Sequence, residues 1–158
     1  MKFLLLAAIT YLGASDPVLV ALPKLQELTD CQIDGAILRQ KSMTPKDGAK
    51  VIVKFKAWCQ PINDDWIKEL KEYKATALSP RAAPTLPIIA IYLDHQSEID
   101  FLMATSALND RDRCQHVTGM TAKQLENTYS GVNIITRVIY NCFPLDSTDL
   151  NRLMESSK

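Results

Sequence analysis

Cys31, Cys59, Cys114 and Cys142 form two identically spaced pairs, the second displaced from the first by 83 residues. No other feature restricts the fold as much, because two cross-links that each close a long loop dictate which segments become neighbours. The same displacement aligns Cys31-Gln32 with Cys114-Gln115, Gly48 with Gly131, Ile52 with Ile135, and Pro61 with Pro144. Leu25, Leu70 and Glu72 meet Leu108, Leu153 and Glu155. These matches point to a duplicated unit, with pseudo-repeats over about 22–75 and 105–158. Four cysteines allow three connectivities, and spacing alone does not select one. The simplest has each unit close its own bridge, Cys31 to Cys59 and Cys114 to Cys142.

Met1 and Lys2 precede an apolar run over 3–14 that ends in Gly13, Ala14 and Ser15. This has the form of a cleaved signal peptide, 1–15, with cleavage after Ala21 as the alternative. The run is well short of the roughly 20 residues that span a bilayer as a helix, and no later segment is longer, so no membrane span is expected. Residues 16–158 then form a single compact domain. An even cysteine count behind a leader implies an oxidising destination, and the expected localisation is secreted and extracellular. Eighteen basic residues balance 18 acidic ones without a long run of either sign, which argues against nucleic acid or an anionic membrane as partner.

Five glycines are few for an all-β chain, which needs frequent turn glycines. Ile62-Asn63 and Leu145-Asp146 are each followed by an apolar residue, Ile67 and Leu150, at the spacing of a hydrophobic staple around an N-cap. Helices are predicted to start near 64 and 147. The segments 49–58 and 132–141 are ambiguous between helix and strand. Their shared polar positions are Lys50/Asn133 and Lys54/Arg137, and their shared apolar positions include Ile52/Ile135 and Phe55/Val138. Uninterrupted strand alternation would place Ile52 and Ile135 on the polar face, whereas a helix separates them.

The expected fold is therefore mainly α, a bundle of about six helices built as two duplicated three-helix units with two disulfides. Its helices fall near 22–38, 45–59, 64–74, 97–113, 122–142 and 147–155. A proline-rich connector, 79–87, joins the units, and the apolar run 88–93 is expected to be buried. The alternative is α+β with hairpins near 36–58 and 115–141.

Chemistry is sparse. His95 and His116 have no evident partner, and Asp94-His95 are sequence neighbours that point to different faces of any regular element. Asp64, Asp65, Glu98, Asp100, Asp110 and Asp112 read as helix caps or solvated faces. There is no Cys-x-x-Cys, metal knuckle, phosphate loop or nucleophile elbow. No enzyme activity, metal or cofactor is expected. The aromatic and Met content suggests instead a carrier for a hydrophobic small ligand or lipid, with Phe55, Trp58, Tyr92, Phe101, Met103 and Tyr129 as candidate lining. The alternative is a secreted effector or factor acting through protein–protein binding. An enclosed apolar cavity would favour the first, and a filled core with an exposed aromatic patch the second.

Overall fold

The computed structural model describes residues 1–76, 84–105, 108, 110–126, 129–130 and 133–158. Its elements are β1 (Lys2–Tyr11), β2 (Val18–Gln26), α1 (Leu28–Met43), β3 (Ile52–Ile62), α2 (Asp64–Thr76), β4 (Thr85–Leu93), β5 (Phe101–Ala104), α3 (Arg111–Leu125), β6 (Tyr129–Ser130), β7 (Asn133–Pro144) and α4 (Ser147–Ser156). The strands form two antiparallel sheets, ordered β2-β1-β3 and β5-β4-β7-β6. The fold is α+β, which corrects the expectation of a mainly α bundle of six helices. The α+β class is that of the alternative reading, but its hairpins are met only in part: α3 fills the first part of 115–141 before β6 pairs antiparallel with the start of β7, and 36–58 holds the end of α1 and most of β3, with no hairpin among the described residues.

A bulge explains the misreading of 49–58 and 132–141. In β3, Ile52 lies opposite Tyr11 and Lys54 opposite Thr10, so Val53 is an extra residue that breaks the two-residue alternation. Ile52 and Phe55 thereby reach one face while Lys54 turns to the other. Ile135 and Arg137 repeat this opposite Leu93 and Tyr92. The separation of polar from apolar positions that resembled a helix belongs to a bulged strand.

Apart from β6, the two halves correspond element by element among the described residues. Leu5 lies opposite Cys59 and Pro87 opposite Cys142, so β4 follows β1 by 82 residues while the cysteines follow by 83. The β4–β5 hairpin holds the extra residue: Ile9 pairs with Val18, but Ile91 with Phe101. Its turn uses Asp94 (φ 50°) and His95 (φ 58°) where the β1–β2 connection has Gly13 (φ 81°). Asp94 and His95 also bond across to β7, through Ile134 N–H to Asp94 Oδ1 (3.1 Å) and His95 N–H to Thr136 Oγ1 (3.1 Å). Turns made by residues other than glycine are why the low glycine count misled.

Residues 3–14, expected to leave with a signal peptide, supply most of β1, the central strand of the first sheet. Leu4, Leu5 and Leu6 are fully buried there. Leader and strand compete for the same residues. Most of the proline-rich connector, 79–83, lies outside the described residues, while Thr85, Leu86 and Pro87 belong to β4.

The sheets pack face to face. Leu4, Leu6, Ala8, Leu19 and Ala21 of the first meet Leu86, Ile88, Ala90, Leu102 and Ala104 of the second in one core. β2 lies against β4 and β7, and β5 against β1 and β3. α1 covers the outer face of the first sheet and α3 that of the second, where Ile89, Ile91, Leu93, Ala122, Ile135 and Val138 form a separate cluster. α2 starts under an Asn63 cap, whose Oδ1 accepts Trp66 N–H at 2.9 Å. α4 starts in a full capping box between Asp146 and Asp149. α4 then crosses to the first unit, where Ser156 Oγ accepts Leu25 N–H at 2.8 Å.

Candidate functional site

Cys31 is bridged to Cys59, and Cys114 to Cys142. Each bridge fastens the helix over a sheet to a strand beneath it, α1 to β3 and α3 to β7, and no free thiol remains. Among the described residues no group of His, Cys, Asp or Glu side chains could hold a metal ion. The acidic residues act locally: Asp110 caps α3 by accepting Arg113 N–H at 2.8 Å, and Asp100 Oδ2 accepts Leu93 N–H at 2.8 Å. Glu98 pairs with Lys54 at 3.7 Å.

Three of the clefts that open from the described surface are well formed. One, of about 420 Å³, lies at the end of α1 between Lys41, Lys46 and Lys50, with Lys50 over the Tyr11 ring at 5.7 Å. Another, of about 270 Å³, lies between the units and has a mixed polar and apolar lining. There Lys54 reaches Glu98 of the β4–β5 hairpin, and Arg137 reaches Asp16 of the β1–β2 connection. Arg137 also stacks over Tyr92 at 5.3 Å. These charges are mutually paired.

The largest of the three, about 590 Å³, runs along β3 beside α1. A stripe of α1 (Leu28, Gln32, Ala36 and Arg39) forms one wall, and Phe55, Ala57 and Trp58 of β3 form the other. Leu5 and the Cys31–Cys59 bridge lie at its base. α1 can approach the sheet closely because position 35 is glycine; a Cβ there would meet the Leu5 side chain at 3.3 Å and Ala57 at 3.5 Å. Trp58 is 46% exposed, a large apolar surface left open at the sheet edge. Lys56 also borders the cleft, but its ammonium donates to the Ile99 carbonyl in the other unit.

Of the candidate lining residues, the fold brings Phe55 and Trp58 to this cleft. Tyr92 is buried in the core shared by the sheets and borders the cleft between the units instead. Its phenol is pushed above the usual tyrosine range by burial, and further by the Glu98 charge. Phe101 is exposed on β5, and Met103 packs under α3. Tyr129 lies in β6, with its side chain outside the described residues. Sequence reasoning missed Ala57 and Ala36, whose small size opens the cleft. Tyr140 and Gly119 stand 83 residues later, so comparison of the two copies could have found them. No protein-family model, curated protein or solved structure matches the chain.

Proposed function

We propose that the protein acts without catalysis, by binding a partner protein in the α1–β3 cleft. The observation that carries this reading is the open, apolar form of that cleft on the edge strand β3, where Trp58 is half exposed, beside a continuous buried core between the sheets. Exposed aromatic surface beside small residues is typical of contact sites for proteins. The two disulfides are compatible with a secreted protein, and among the described residues no helix is long and apolar enough to cross a membrane. A hydrophobic small molecule or lipid is the second reading, favoured by a volume within the range of small-ligand sites.

The test copies the second unit into the first. Ala36→Gly with Ala57→Tyr should fill the cleft as Gly119 and Tyr140 do. Full-length protein and this variant would be recovered from the cells that make it and compared by native mass spectrometry. A bound protein lost from the variant supports the main reading, and a lipid-like mass lost from it supports the second. Identical spectra, with or without bound species, overturn both.

A further inference from the structure

Resting on the cleft-binding reading above, we propose that the partner enters as an extended peptide segment, apolar at alternate positions and bearing an acidic residue, which adds as a fourth strand to the free edge of β3. β3 has β1 on one side and, among the described residues, no strand on the other. The corresponding edge in the second unit is met by the chain itself at two places. There Val138 N–H donates to Glu126 Oε1 at 3.4 Å, and β6 pairs with the start of β7. Tyr140 lies against α3 at Gly119, with its hydroxyl 3.0 Å from where a Cβ on that glycine would stand.

The equivalent positions in the first unit are Phe55 for Val138, Met43 for Glu126, Ala57 for Tyr140 and Ala36 for Gly119. Phe55 and Val138 occupy the same register, opposite Ile9 and Ile91. The Phe55 N–H therefore faces away from β1, as Val138 N–H faces away from β4, and strand alternation turns Ala57 and Cys59 the same way. Met43 has no carboxylate to cap Phe55, and Ala57 is too small to fill the space. The result is a row of outward backbone groups beside an apolar trough, the arrangement that accepts an added strand. From Phe55 to Cys59 the edge runs about 13 Å, room for four or five peptide residues.

Charge indicates the acid. No carboxylate lines the cleft, whereas Arg39 does, exposed and in no ion pair among the described residues. An acidic side chain on the peptide would meet it at the α1 wall.

The probe is a random-peptide display library selected against the full chain, with enriched peptides then synthesised. Expected are peptides of alternating apolar pattern with an acid, whose binding slows amide hydrogen exchange at Phe55, Ala57 and Cys59. Met43→Glu should abolish binding by capping Phe55 from within; Met43 is exposed, so a preserved melting temperature checks the fold. Arg39→Glu should weaken binding about fivefold or more. Peptides that bind without protecting those amides, yet fail on the Ala36→Gly/Ala57→Tyr variant, overturn strand addition and leave the cleft reading standing. Peptides indifferent to that variant overturn both. No enrichment, or protection of the same amides by self-association of the chain alone, also overturns strand addition.

Discussion

Gln60 holds the backbone of Ala104 at both ends: Ala104 N–H donates to Gln60 Oε1 at 2.6 Å, and Gln60 Nε2 donates to the Ala104 carbonyl at 3.1 Å. Ala104 is on the edge strand β5 of the opposite sheet, so one side chain satisfies an exposed edge and joins the units. Asn141 does similar work in reverse, donating to the Leu19 carbonyl of β2 at 2.7 Å. Gln60→Ala strips both partners from Ala104 at once. It should cost about 1–2 kcal/mol in chemical denaturation. An unchanged midpoint would mean that water replaces the amide without loss.

The leader and β1 readings make opposite demands on residues 1–15. A chain starting at Asp16 lacks the strand that pairs with both β2 and β3. It also loses Leu4, Leu5 and Leu6, each worth about 1.5–3 kcal/mol when buried. That loss is comparable to the whole stability of an ordinary domain. The truncated chain should lack dispersed amide signals and a cooperative melt. A truncated protein that melts like the full chain would show that β1 is dispensable.

Gln26 is buried, and neither its Oε1 nor its Nε2 has a hydrogen-bond partner among the described residues. An unpaired buried amide costs about 1–3 kcal/mol. Gln26→Met keeps the length of the side chain and removes the polar atoms. The variant should be more stable by about 1 kcal/mol in urea, and a destabilised variant would reveal a water or partner that serves the amide.

Alkaline pH should weaken the fold. Tyr73 is held above the usual phenol range by burial and then by the Asp110 charge, and Tyr92 by burial and then by Glu98. Both phenols are neutral when protonated, and their folded values lie above the unfolded one near 10. Their contribution is complete below about pH 10 and is lost as pH rises through the folded values, where the unfolded chain ionises first. Melting temperature should fall more steeply above pH 10 in the natural chain than in Tyr73→Phe or Tyr92→Phe. Equal slopes in all three would remove both residues as the cause.

Local chemistry was legible where it depends on neighbours in the chain. Asn63 and Asp146 cap α2 and α4, which begin at Asp64 and Ser147. The strands before Cys59 and Cys142 were not legible, because the bulge at Val53 is defined only against its partner Thr10. The corresponding first hairpins were hidden too. A one-residue insertion puts β4 out of step with β1, and the run in β1 resembles a leader in composition. Phe55 and Trp58 drew notice as large apolar side chains, but their shared cleft depends on Ala57 and Gly35, which draw none.

The sequence by itself determined the spacing of the cross-links, the starts of two helices and the absence of catalytic signatures. The tertiary structure decided which apolar segments became strands, because a strand's face and register are set by hydrogen bonds to residues distant in the chain. It also decided that Tyr140 packs against α3 in one copy while Ala57 leaves the equivalent space open in the other, a difference in side-chain volume that acts only where helix and strand meet.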